Sequence, residues 1–154
     1  LIFVTVGTHQ DPFTRMLAAV EAMPNVAEVV VQYGPGKAPA GVARAEAFMS
    51  FAEMEENFAA AAAVVTHAGV GSILCARRAG HVPVVVPRYH ALGEHVDDHQ
   101  VELTRALAER GEVEPVWRDE TLADGLGRLG GERRERGGGP PGDLVAEVRA
   151  ALLG

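Results

Sequence analysis

Two short stretches concentrate the groups a protein uses to bind or transform a ligand. In Thr66-His67-Ala68-Gly69-Val70-Gly71-Ser72, two glycines and a serine follow an apolar run and open a helical one. Residues without a Cβ let backbone N–H groups approach a phosphate, and a helix N-terminus adds partial positive charge. The Ser72 hydroxyl could donate one more bond. A tight strand-to-helix turn that needs glycine for geometry alone also accounts for these residues. A dinucleotide fingerprint needs a further glycine where Leu74 stands, so that motif fails. Gly36-Lys37-Ala38 fails as a P-loop, because alanine replaces the Ser or Thr that holds magnesium.

The second stretch, Glu94-His95-Val96-Asp97-Asp98-His99-Gln100, packs carboxylates, imidazoles and an amide together. Such a set offers the acceptors and donors that several sugar hydroxyls would need. Rival readings compete. Asp97 and Asp98 could simply favour a helix N-terminus through its dipole. His95 and His99 stand four apart, share a face if both are helical, and could then bind zinc in a metal-dependent hydrolase. Yet Val96 stands where the zinc-protease motif has Glu, and spacing fixes no third ligand, so no metal site is expected. Gly7-Thr8-His9 closes the first apolar run and reads as a loop at the same crevice or as an ordinary connection. His67 is a structural histidine or a catalyst; His81 and His90 read as surface loop residues. Cys75 falls inside a helix and is expected to pack, and Arg77-Arg78 reads as solvated charge.

The elements that must hold these residues alternate between strand and helix. Residues 1–6 form a continuous apolar run ending in Gly7, the pattern of a buried strand and not of a signal peptide. Asp11 with Pro12 predicts a helix start, and Phe13, Met16, Leu17, Val20 and Met23 recur at helical spacing. Further strands are expected at 29–34, 46–49, 63–65, 82–86 and 113–117. Ser50 with Glu53 predicts a capping box. Helices should follow from Ser50, over 73–79, through Leu103, Ala106 and Leu107 to Gly111, and from Thr121 with Leu122, Leu126 and Leu129 inward. The implied fold is α/β, a doubly wound parallel sheet over residues 1–129. A Gly/Pro-rich linker is expected over 130–142 and a terminal helix within 143–154.

Composition sets limits. The 154 residues suit one domain with a proper core, and a net charge of −7 argues against a nucleic-acid partner. A 47% hydrophobic content and a mean hydropathy of +0.05 describe a globular chain without a membrane-spanning run. The single cysteine excludes an internal disulfide and fits a reducing, cytoplasmic setting.

Ile2-Phe3-Val4-Thr5-Val6-Gly7-Thr8, Thr66-His67-Ala68-Gly69-Val70-Gly71-Ser72-Ile73-Leu74, and Gly93 to Gln100 after Pro87-Arg88 together resemble the C-terminal domain of family 28 glycosyltransferases. The likeness covers residues 1 to about 111. It is strongest to the soluble subunit of two-component enzymes, namely the eukaryotic dolichol-linked-oligosaccharide N-acetylglucosaminyltransferases and their bacterial exopolysaccharide counterparts. The resemblance implies a Rossmann-like domain, equivalent to the C-terminal half of a GT-B enzyme. It implies a UDP-sugar as substrate with no separate cofactor, and a lipid-linked glycan acceptor. It also implies a membrane-associated partner that supplies the other half and recruits the chain to the inner face of the membrane. By position, Gly7, Thr8 and His9, then Gly69, Gly71 and Ser72, match the loops near the donor diphosphate. Asp97, His99 and Gln100 match residues that contact the donor sugar, flanked by Glu94, His95 and Asp98. The base that takes the acceptor proton is unassigned, with His9 and His67 as the candidates in this chain. One departure stands out. Relatives commonly carry a ribose-binding glutamate three residues after Ser72, where this chain has Cys75.

Overall fold

The computed structural model describes residues 1–132. Six strands, β1 (Ile2–Thr5), β2 (Val29–Gln32), β3 (Arg44–Glu46), β4 (Ala63–His67), β5 (Val84–Val86) and β6 (Glu114–Pro115), form one sheet. Their order is β3-β2-β1-β4-β5-β6 and every pairing is parallel. The helices between them are α1 (Thr14–Glu21), α2 (Phe51–Ala60), α3 (Val70–Arg78), α4 (His99–Glu109) and α5 (Leu122–Glu132).

Strands β1, β2 and β5 are buried along their whole length and apolar but for Thr5 and Gln32 at the strand ends, because helices cover both faces of the sheet. On one face Val4, Val31, Val65 and Val84 pack with Phe13, Met16, Val20, Leu122 and Leu129 around α1 and α5. On the other, Phe3, Val30 and Val64 meet Phe58 of α2 and Ala76 of α3. Val85 meets Ile73 of α3 and Leu103 and Leu107 of α4. The result is the expected doubly wound, Rossmann-like three-layer α/β domain. The expected inward faces of α1 and α5 hold, and Ser50 caps α2 by accepting the Glu53 N–H.

Several expectations need correction. The α1 cap position is Phe13, not Asp11, and carries no side-chain cap. Phe13 is drawn fully into the core beneath the Arg88 guanidinium, 4.4 Å from its ring, so the helix begins only at Thr14. Strand β3 lies earlier than 46–49. Beyond Glu46 the Ala47 carbonyl accepts from Gly34 N–H and the Gln32 amide, and the ladder stops. The last strand shrinks to Glu114–Pro115. Arg77 is not solvated charge: its side chain is 6% exposed and pairs with Glu112 at 2.8 Å. His81 is buried, not a surface residue, with Nε2 2.8 Å from the Phe58 carbonyl. Helix α5 runs through Gly130 and Gly131 to Glu132, past the expected start of the linker. The rest of that linker and the terminal helix lie outside the described residues.

Phe3 and Phe58 meet edge to face at 5.1 Å, both within 2% of full burial, and join β1 to α2. Phe3→Ala should lower unfolding free energy in urea by about 3–5 kcal/mol, because the void cannot collapse between sheet and helix.

Candidate functional site

Strand order reverses between β1 and β4, so the loops leaving their carboxyl ends diverge to opposite faces and open a crevice. The loop after β1 carries Gly7, Thr8 and His9. It is fixed from beneath by Gln32, at the end of β2. The Gln32 oxygen accepts from the Thr5 hydroxyl at 2.6 Å and from Gly7 N–H at 3.1 Å. Its nitrogen donates to the carbonyls of Gly7 at 3.0 Å and Ala47 at 2.8 Å. One buried amide thereby ties the ends of β1 and β2 to the chain leaving β3. The signal for it was a polar residue closing the Val29-Val30-Val31 run.

His67 ends β4 and its ring lies between the two loops. A Cβ on Gly7 would sit 2.2 Å from His67 Nε2, and one on Gly69 would sit 2.1 Å from Cε1. Gly7 also has φ +76°, a left-handed conformation that side chains resist. Both glycines are therefore required by the imidazole they enclose. Gly71 differs: nothing lies within 4 Å of where its Cβ would be.

Gly71 and Ser72 belong to the first turn of α3, whose cap residue Gly69 has no side chain to cover the turn's N–H groups. Gly7, Thr8, Gly69, Gly71 and Ser72 line one cavity of about 350 Å³. Its far wall is apolar, built by Phe48 and Met49 after β3 and by Phe51, Met54 and Phe58 of α2. Phe48 and Phe51 are 58% and 69% exposed at its mouth. In the sequence this wall is divided between residues expected in a strand, Phe48 and Met49, and the apolar residues of the following helix, so nothing local marks it as one surface.

Burial, then the positive charge of Arg88, then His9 lower the His67 pKa from 6.5 to about 4. The ring is neutral at pH 7, with Nε2 3.5 Å from the Ser72 hydroxyl and Nδ1 buried without a partner.

The polar run is mostly loop, not helix. Helix α4 begins at His99, so His95 lies ahead of it and the shared-face argument for zinc does not hold. Among the described residues no group of three His, Cys, Asp or Glu could hold a metal ion. The Glu94 carboxylate takes a bidentate pair from Arg15 at 2.9 and 3.0 Å and the Tyr89 N–H at 3.1 Å. Asp97 accepts His99 N–H at 3.0 Å and lies 3.2 and 3.4 Å from His95 and His99 Nδ1. The backbone bond first, and then the imidazoles, hold its pKa below the usual value. Asp98 accepts His90 N–H at 3.0 Å, and the Gln100 oxygen accepts Arg88 N–H at 3.0 Å.

None of the residues from Glu94 to Gln100 lines the glycine cavity. The two segments nevertheless meet at one edge, where the His9 and His95 rings lie 5.5 Å apart. Between them sits Arg88, 1% exposed, donating to the carbonyls of Glu94 and Asp11 at 3.2 and 2.9 Å. Burial lowers its pKa, opposed by the carboxylates of Glu94 and Asp11. Sequence reading missed Arg88 as a structural centre, since an arginine after a strand reads as solvated.

Two outcomes follow from His67. Gly7→Ala should destabilise the fold by about 1–3 kcal/mol, and part of that loss should vanish in a His67→Ala background, read as coupling in a double-mutant cycle. Because the folded pKa lies below the unfolded one, unfolding takes up a proton in between, and stability falls as pH drops from 6.5 to about 4. Urea unfolding across that window should show a loss of up to about 3 kcal/mol that His67→Gln flattens.

Compared with known families, residues 1–134 match the model for the glycosyltransferase family 28 C-terminal domain. A search of curated proteins returned no match. The sheet order, the crevice between β1 and β4 and the match over most of the chain agree: this chain belongs to the glycosyltransferase family 28 as its C-terminal domain.

Proposed function

We propose that the chain is the donor-binding, catalytic subunit of a glycosyltransferase that moves a hexose or N-acetylhexosamine from a UDP-sugar to a lipid-linked acceptor. One observation carries this reading. The Gly7-Thr8 loop and the uncapped start of α3 open into the same cavity where the strand order reverses. Backbone N–H groups and the helix dipole would neutralise the departing diphosphate, an electrostatic contribution aimed at the charge that develops in the transition state. No cofactor is required, since the UDP-sugar is itself the substrate. The apolar wall of Phe48, Met49 and Phe51 suits a flat base. The sugar would extend towards His9 and the polar run, where His99 is 69% exposed on its side chain.

In this reading the acceptor hydroxyl attacks the anomeric carbon from the face opposite the diphosphate. Its proton passes to a base, the bond from that carbon to the diphosphate oxygen breaks, and UDP departs with inversion. With its pKa near 4, His67 is a weak base at neutral pH, which leaves His9 the better placed of the two histidines. The other half of the active site, with the acceptor and a better base, would come from a membrane-associated partner. No helix of the described residues is long and apolar enough to cross a membrane. In this reading the partner recruits the chain to the inner face.

Cys75, which lines the cavity and accepts no bidentate pair from a ribose, favours a second reading: a non-catalytic nucleotide-sugar-binding subunit. Adding the partner separates the two, because only a catalytic subunit then transfers sugar. The chain alone should bind UDP-sugar weakly and show negligible transfer.

Gly71→Asp tests the diphosphate end. The new Cβ has open space around it and the charge suits a helix N-terminus, so stability should change by less than about 0.5 kcal/mol or rise. UDP affinity by calorimetry should fall more than about tenfold, because a carboxylate then occupies the anion's place. Unchanged affinity would remove the diphosphate from this helix end.

A further inference from the structure

The cavity has two chemically distinct ends and one unexplained group between them. At one end are Gly7, Thr8 and the N–H groups of the first turn of α3; at the other is the aromatic wall. Cys75 follows Gly71 by four residues, about 6 Å along the helix at 1.5 Å per residue. Whatever links a phosphate at the α3 start to a base on the aromatic wall must therefore pass beside Cys75. In a nucleoside diphosphate that linker is a pentose with two vicinal hydroxyls.

Glu55, in the second turn of α2, lines the same cavity as Cys75. Both residues also line the adjoining cavity of about 250 Å³, so they flank the point where the two spaces join. Glu55 is the single carboxylate on the wall of the larger cavity. Its neighbour Glu53 is committed to the α2 cap and to Arg44. Among the described residues, by contrast, the Glu55 side chain has neither a hydrogen bond nor an ion pair. A carboxylate is acceptor-only when ionised, and its two oxygens match a vicinal diol. Exposed glutamates usually face solvent, but this one faces a cavity whose other α2 residues are apolar.

We infer that the Glu55 carboxylate accepts the ribose hydroxyls of the bound nucleotide, reaching from α2 the place that Cys75 on α3 leaves without an acceptor. This rests on the donor-binding reading above and assigns to it a residue that selects ribonucleotides over deoxyribonucleotides. Chemically it is a hydrogen-bonding site for a hydroxyl, the kind that discriminates sharply against an analogue lacking it.

The test measures binding of UDP and 2′-deoxyuridine diphosphate to the full chain and to Glu55→Gln by calorimetry. Thermal melting would show that the exposed substitution leaves the fold unchanged. The wild type should prefer UDP by about tenfold or more. Glu55→Gln should bind both nucleotides within about twofold of each other, near the deoxynucleotide affinity of the wild type. A preference that survives in Glu55→Gln, or a wild type that binds both alike, overturns the assignment and leaves the donor site standing. Failure of either nucleotide to bind overturns the donor-binding reading, and this inference with it.

Discussion

The imidazole of His67 occupies volume that side chains at positions 7 and 69 would otherwise claim, and the geometry of the crevice depends on that exclusion. With a Cβ at either place about 2 Å from the ring, both loops can only be glycine where they touch it. Gln32 completes the arrangement by bonding both the N–H and the carbonyl of Gly7. Two loops that leave a sheet in opposite directions are thus held against one buried ring and one buried amide. A site fixed in this way presents the N–H groups of the first turn of α3 without first ordering a loop, which lowers the cost of binding.

Charge is organised around a second buried centre. Arg88 sits against Phe13 and holds the carbonyls of Asp11 and Glu94, so it connects the loop after β1 to the loop after β5. Glu94 returns a charge to the same place through Arg15. Much of the polar run therefore serves to shape its own loop: Glu94, Asp97 and Asp98 each accept backbone N–H groups. The His99 side chain stays 69% exposed, whereas the Gln100 oxygen is taken by the Arg88 N–H, so fewer groups are open to a ligand than the sequence advertises. The two glycine-rich loops and this run converge, but through His9 and His95 and not through a shared cavity.

Legibility in the sequence followed from how local the cause was. Continuous Val runs announced buried strands, and the spacing from Phe13 to Met23 announced the inward face of α1, because those patterns are set by the chain's own period. The Ser50 cap was equally local. Asp11 failed as a cap for a distant reason: Arg88, far along the chain, holds Phe13 and the Asp11 carbonyl and delays the helix. The offset of β3 has the same origin, since Gln32 captures the Ala47 carbonyl from another strand. His81 and Arg77 were misread because their partners, Phe58 and Glu112, are remote in sequence. At the site, the glycines were visible but their reason was not. Spacing suggested phosphate approach at Gly69 and Gly71, and the family resemblance suggested it at Gly7, whereas Gly7 and Gly69 answer first to His67, and of the three only Gly71 is open. The aromatic wall and Glu55 were invisible as a site because only folding brings α2 against α3.

In the reading proposed above, the nucleotide diphosphate lies over the first turn of α3. A crystal structure of the chain with UDP tests it most directly. The account predicts phosphate oxygens within hydrogen-bond distance of the N–H groups of Gly71 and Ser72, with the base against Phe48 or Phe51. The same chain has a second cavity lined by Arg15 and Arg88, with Asp11 and Glu94 beside them. Diphosphate found there, with the α3 start left to solvent, would contradict the account.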